Sequence, residues 1–372
     1  MKRLLTLTLV VLLDAAMFAQ KFPANIYSGL HGDFHVQGIA YDHQRRCVYL
    51  SVTTALLKLD LEGNLLASMT GLTGHMGSIG INPDDGRLYG SLEYKHDVIG
   101  DNISRHLGIK NDTRTGYYIA VIDLDKFTRL DMTTDEVMTT IYIKEVLDDV
   151  NAKVSNNGRE LDHRYGVAGF DGVTFAPEWG KRGGRNYLYV AYGMFGDTTR
   201  TDNDHQVLLC YDVRDWKKYE RPIDATCLHQ SGPKKPRAKY FVFTGNTNWG
   251  IQNLEYDPHT GNMFAAVYPG AKNQWPRYEM FVLDMHVKPH KAVLRGVEPR
   301  TTATMVDLVK TGRQSADGMV WGWEHTQGSK GITSLGDGLF YLSETGVDSA
   351  TGKNYANLHL YRWDDVTGFT RE

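Results

Sequence analysis

The chain has 372 residues, enough for two or three ordinary domains, yet no Ser-rich, Pro-rich or single-charge linker divides it. Lysine and arginine together number 41 against 44 acidic residues, a net charge of −3. That balance excludes the basic field of a nucleic-acid-binding chain and leaves no polybasic patch for a membrane surface.

The first twenty residues, MKRLLTLTLVVLLDAAMFAQ, run from Lys2 and Arg3 through the apolar stretch Leu4 to Leu13 to the small residues Ala15, Ala16 and Ala19. A basic, then apolar, then small order describes a secretory signal peptide, and the apolar stretch is too short for an ordinary membrane span. The expectation is a signal peptide over residues 1–19, a mature chain over 20–372 forming one domain, and a secreted or periplasmic location.

Five stretches then follow in register: HVQGIAYDHQRRCVYLSV from His35, HMGSIGINPDDGRLYGSL from His75, FDGVTFAPEWGKRGGRNYLYVAY from Phe170, IQNLEYDPHTGNMFAAVY from Ile251, and SKGITSLGDGLFYLSE from Ser329. Each is an alternating apolar strand, a polar turn and an aromatic-rich strand, which is the pattern of a β-hairpin. After each hairpin comes a third apolar strand ending near Asp60, Asp123, Asp212, Asp284 and Asp364. Runs at 64–69, 139–143, 238–243 and 302–309 supply fourth strands. Four antiparallel strands repeated along a chain make an all-β fold, a β-propeller, here of five blades, or six if segment 95–165 holds a degenerate one. A ring leaves no raw sheet edge, so residues 24–30 are expected to pair beside the last blade. Cys47, Cys210 and Cys227 fit no metal spacing; buried free thiols are expected, with a Cys210–Cys227 bridge as the alternative.

In a propeller the residues before each innermost strand look toward the axis together. That ring is Gln37, Gly77, Asp171, Gln252 and Lys330, with His35 and His75 one strand period above. Long loops at 93–116, 192–206, 268–279 and 343–357 share this face and read as walls of a cleft. They carry Glu93, His96, Asp97, Asp197, Arg200, Asp202, Asp204 and Glu344 together with aromatics including Tyr192, Tyr268, Trp275 and Tyr278, and Trp249 stands nearby. Aromatic planes beside carboxylates and amides suit a sugar ring, whose C–H face packs on an aromatic while its hydroxyls need partners. The candidate catalytic residues are Asp171, His35, His75, Glu93 and Glu344; Arg200, Trp249, Gln252, Tyr268 and Lys330 are candidates for holding substrate. Asp171 and Asn253 are candidate metal ligands near the axis, and calcium is the expected ion. No nucleophile elbow, phosphate-binding loop, dinucleotide fingerprint or HExxH motif occurs.

The hairpins GSIGINPDDGRLYGS, DGVTFAPEWGKRGGRNYLYVAYG and QNLEYDPHTGNMFAAVY resemble those of the NHL, gluconolactonase (SMP-30) and strictosidine-synthase-like propellers. In the lactonase branch the resemblance implies an axial cation held by a Glu, Asn residues and an Asp, for which Asp171 and Asn253 fall at comparable strand starts. The EGP hairpin that opens that branch is replaced here by HVQG. The reading is an exported, monomeric carbohydrate-active or lactone-cleaving hydrolase or lyase. The alternative is a non-catalytic propeller that binds a glycan or a protein.

Overall fold

The computed structural model describes residues 22–111 and 114–372, so the expected signal peptide lies outside the described residues. Blade 1 comprises Gly38–Asp42, Cys47–Val52, Ala55–Leu59 and Leu65–Met69, and blade 2 comprises His75–Ile81, Leu88–Tyr94, Gly116–Ile122 and Met138–Tyr142. Blade 3 is built from Val167–Pro177, Asn186–Met194, His205–Tyr211 and Ala238–Phe243, and blade 4 from Thr247–Asp257, Asn262–Pro269 and Met280–Leu283. Blade 5 contains Ile332–Gly336, Leu339–Val347 and Asn354–Asp364. The first strands of the five blades neighbour one another in order and close on themselves, giving a five-bladed β-propeller. The described residues of segment 95–165 hold no sixth blade. They form helices, the two outer strands of blade 2 and the small hairpin Lys153–Asn156 with Arg159–Asp162.

The hairpin turns explain the repeat. Asp42 ends the first strand of blade 1 and accepts the backbone N–H groups of Gln44 and Arg45 at 2.9 Å; Asn82 accepts that of Asp84 in blade 2, and Asp257 that of Thr260 in blade 4. A short polar side chain at this aligned position folds the following loop back on itself. The second strands then each place an aromatic at the aligned position, Tyr49, Tyr89, Tyr189, Phe264 and Tyr341, with no exposed surface. Each ring belongs to a different apolar cluster, and the five clusters are the five seams between neighbouring blades. Hydrophobic burial therefore runs around the ring, while hydrogen bonds stitch neighbouring blades near the axis: Ser51 Oγ to Gly77 O at 2.6 Å, Tyr256 N to Thr174 Oγ1 at 3.1 Å, Ser334 N to Glu255 Oε1 at 2.7 Å, and Tyr41 N to Thr333 Oγ1 at 3.1 Å.

The closing edge is composite. Asn25–Tyr27 pairs antiparallel with residues 357–359 of the last blade, as expected, and Gly368–Arg371 continues along the same strand beside residues 361–364. The outer edge of blade 4 differs from the expectation. Thr302–Met305 pairs parallel with Ala238–Phe243 of blade 3, extending that sheet to six strands with His290–Val293. Only the continuation reaches blade 4, through Asp284 N to Asp307 O at 2.9 Å and Val309 N to Val282 O at 2.8 Å. One segment thus satisfies two raw edges across a seam, which removes both as pairing hazards. All three cysteines are free: Cys47 and Cys210 are buried, while Cys227 is exposed, contrary to the expectation of a buried thiol.

Burial pushes the Glu255 carboxyl up to about 8, against an ordinary 4.5, and the nearby Asp257 adds to the rise. The folded chain holds this proton more tightly than the unfolded chain, so its contribution to stability is present below about 4.5 and is lost as pH rises toward 8. Denaturant titrations between these values are expected to show a falling midpoint. Glu255→Gln is expected to flatten the dependence.

Candidate functional site

At the rim where the first strands begin, three of them break register. Shifts lie between Met76 and Ile79, between Phe170 and Val173, and between Ile251 and Asn253. A bulge leaves a residue out of the ladder and re-aims its side chain. Gly77, Asp171 and Gln252 occupy these bulges, which is why a ring read from strand starts converges on the axis.

His75 opens the first strand of blade 2 directly opposite Glu93 on the second. Both are buried. Glu93 Oε1 accepts the backbone N–H of Phe170 at 2.7 Å, and Oε2 lies 2.6 Å from the Lys95 ammonium. Lys95 also donates to Ala168 O at 3.3 Å. His75 Nδ1 stands 3.7 Å from Glu93 Oε2 and 3.9 Å from Asp171 Oδ1 and has no hydrogen-bond partner among the described residues. Both gaps exceed a hydrogen bond. The other oxygen of Asp171 accepts from Gln252 Nε2 at 3.2 Å, and that amide also donates to Trp249 O at 2.8 Å. The amide therefore turns Oδ2 away and leaves Oδ1 facing the imidazole.

The electrostatics divide the two carboxyls. Burial alone would raise Glu93, but the Lys95 charge and His75 outweigh it and hold the group below its ordinary range. Lys95 is in turn held above the ordinary lysine value, because the Glu93 charge outweighs its burial. Asp171 rises to about 6, through burial and then the neighbouring Glu93 charge. Two acids a few ångströms apart are thus driven to different roles: one a fixed anion, the other titrating near neutrality. His35 is lowered to about 4 by burial and by the charge of Lys330, so it is a neutral lining group that contacts Gln37 at 3.3 Å.

Gly169 makes the arrangement possible. Its φ is +143°, and a Cβ there would fall 2.0 Å from Glu93 Oε1. Gly169→Ala is expected to displace the Glu93 carboxylate, lowering the thermal midpoint and any activity together. Calorimetry and turnover on the same sample check this.

Above the cluster lies a cavity of about 310 Å³ lined by residues of blades 1 to 4 and by a roof. The roof is the helix Val98–Leu107, capped by Asp97, which accepts from Ile99 N and Gly100 N at 3.0 Å, and ended by Gly108 at φ 66°. Ile99, Asn102 and Ile103 face the cavity at helical spacing. His106 ties the helix to Asp33 at 3.0 Å and meets the Phe34 ring edge-on at 4.9 Å. The cavity is therefore amphipathic: Phe34, Ile99, Ile103, Trp249 and Tyr268 offer apolar faces over a floor of His75, Asp171 and Gln252.

Of the residues singled out by sequence, His35, Gln37, His75, Glu93, Asp171, Trp249, Gln252 and Tyr268 meet in this cavity. Arg200 does not. It is buried, grips Asp202 with two hydrogen bonds and donates to Asp162 O and His163 O, so it braces a loop rather than a ligand. Glu344 lies away from the cavity on blade 5, half exposed and paired with His359 at 3.0 Å. Lys330 acts on the site through its charge beside His35 and does not line the cavity. Asn253 donates to Gln37 O at 2.8 Å and Ser329 O at 2.9 Å, bracing blades 1 and 5 across the axis. Asp204 is taken up by Lys272 at 2.5 Å and Trp275 at 3.0 Å, and Tyr192 donates to Asp149 at 2.7 Å in a seam. Lys95 was not foreseen. Its signal was the Glu-x-Lys spacing, which puts residues 93 and 95 on one face of an extended strand.

His75, Glu93 and Asp171 bring one possible ligand atom each within 4.8 Å of one another. The set does not fit calcium, which takes six to eight oxygen ligands. One donor is a nitrogen, and the Lys95 ammonium already neutralises Glu93.

No helix among the described residues is long and apolar enough to cross a membrane. No family profile matches the chain, and no curated protein matches it. Solved structures do match. The pyrroloquinoline quinone (PQQ) domain of pyranose dehydrogenase from Coprinopsis cinerea, in its holo form, is 11% identical over 88% of this chain and 82% of its own, with a TM-score of 0.35. The calcium structure of the carbohydrate-active AA12 enzyme of Trichoderma reesei is 10% identical over 87% of this chain and 80% of its own, at 0.38. The β-propeller domain of Cps50 (Swd1) from Myceliophteria thermophila is 12% identical over 90% of this chain and 99% of its own, at 0.30. The propeller architecture expected from the hairpins is borne out by the five-bladed ring itself.

Proposed function

We propose that this chain is an exported, monomeric hydrolase that opens a small lactone, of the kind derived from sugars, in the cavity beneath the Val98–Leu107 helix. The observation that carries the reading is the buried His75 Nδ1 facing Asp171 Oδ1 at 3.9 Å on the cavity floor. In its anionic form Asp171 takes a proton from water, and the water oxygen attacks the carbonyl carbon. The ring C–O bond then breaks, and a proton delivered by the His75–Asp171 pair goes to the leaving alkoxide oxygen. Gln252 orients the base, and Trp249 and Tyr268 give the ring a flat apolar face. Lys95 and Glu93 fix the local charge.

A glycosidase mechanism fits less well. It needs two available carboxyl groups, and both oxygens of Glu93 are engaged, by Phe170 N and by Lys95. A second reading follows from the three clustered donors. A borderline divalent ion such as zinc takes nitrogen and carboxylate ligands together, and it would displace Lys95 from Glu93.

The test is a panel of lactones, carboxylic esters and glycosides incubated with the purified mature chain, with and without chelator. Lactone opening that is indifferent to chelator supports the proposal. Activity lost to chelator and restored by zinc favours the second reading, and glycan binding without turnover of any substrate replaces both with a binding propeller.

A further inference from the structure

The other end of the channel holds a larger cavity, of about 660 Å³. It is ringed by the far ends of all five first strands, including Ala40–Asp42, Gly80–Asn82, Thr174 and Phe175, Glu255 and Tyr256, and Thr333 and Ser334. Its volume falls within the range of about 300–1,000 Å³ usual for small-molecule sites. The Asn253 amide, reaching to Gln37 O and Ser329 O, braces the axis between this mouth and the His75–Asp171 floor.

The chemistry of this mouth is specific. Glu255 lines it with one oxygen held by Ser334 N at 2.7 Å and approached by Thr333 Oγ1 at 3.4 Å; the other oxygen has no partner among the described residues. None of the described residues supplies a cation to meet it. Arg45, the cation lining the cavity, is committed to Asp42 at 2.9 Å and to Asp125. Asp257 is taken by Ser334 Oγ at 2.7 Å and Thr260 N at 2.8 Å, so no second free carboxylate completes a metal site. His43 packs edge-on against Tyr41 at 4.7 Å. The cavity that Glu255 lines is also walled by Tyr41, Phe175, Tyr256 and prolines 83, 177 and 258. A lone carboxyl among aromatic rings is the complement of an organic ammonium, which gains an ion pair and cation–π contacts in one place.

We propose that this opposite mouth is a second ligand site, selective for a small organic ammonium that docks on Glu255 and is independent of the His75–Asp171 chemistry. Because Glu255 holds its proton in the free protein, docking a cation releases that proton to solvent.

Isothermal titration with benzylammonium, run near neutral pH in two buffers of different ionisation enthalpy, tests this directly. Benzyl alcohol serves as the neutral isostere, and methylammonium and phenethylammonium as size controls. Expected are saturable binding of at least one ammonium, a buffer-dependent heat showing proton release, and at least tenfold weaker binding of the alcohol. Glu255→Gln is expected to lose the affinity at least tenfold, whereas Asp171→Asn leaves it unchanged. The proposal is overturned by equal binding of alcohol and amine, by an absence of proton release, by retained affinity in Glu255→Gln, or by no binding of any of the three ammonium probes at about 10 mM. The proton-release measurement uses only the native protein, so it stands even if the variant fails to fold.

Discussion

Asp171→Asn is expected to lower kcat for lactone opening by about 10²–10⁴-fold. The amide keeps the shape and the contact with Gln252 but cannot accept a proton from water. The thermal midpoint is expected to hold or rise slightly, because Asp171 is a carboxyl that burial already disfavours as an anion. In the native protein the rate is expected to increase with pH through about 6, where Asp171 loses its proton, and the residual rate of the variant should lack that step. A pH–rate profile of both proteins decides the matter. A variant with an unchanged profile removes Asp171 from the chemistry.

The second large effect falls on stability. Glu93→Ala strands the Lys95 ammonium, largely buried and left, among the described residues, with the Ala168 carbonyl and with Asp97 at 3.8 Å. Breaking a buried ion pair from one side destabilises by about 3–5 kcal/mol, whereas replacing both partners by apolar groups is often nearly neutral. Chemical denaturation of Glu93→Ala should show the full loss, and the double variant Glu93→Leu with Lys95→Met should recover most of it. A single variant as stable as the native protein would mean that water reaches Lys95.

Much of this architecture was legible. Alternating strands with Asp or Asn at the turn recur at Asp42, Asn82 and Asp257, and the chain needs no distant information to form those hairpins. What could not be read was which edge a lone strand chooses. Residues 302–309 have strand character throughout, but their division between blades 3 and 4 depends on how two seams present themselves in space. The roof helix had local signals, the Asp97 cap, Ile99 and Ile103 at helical spacing and Gly108, inside a stretch otherwise rich in loop residues. For the site, strand starts were informative because the bulges all lie at one rim. Loop carboxylates were not. Asp202 and Asp204 look as available in sequence as Glu93, yet each is neutralised by a buried cation, Arg200 or Lys272, whose approach the sequence does not announce.

The shared outer edge of blade 5 sets the order in which the chain finishes folding. Ile26, Ile39, Leu50, Tyr341 and Leu358 lie in a single seam cluster, so its two halves come from opposite ends of the sequence. Until blade 5 is available, the flanks of blades 1 and 4 have nothing to pack against, and only the other three seams form, around an open arc. Closure is the final and most non-local step. The arc that precedes it exposes an apolar flank at each end, which is the species that a holding chaperone would grip and that aggregation would draw from.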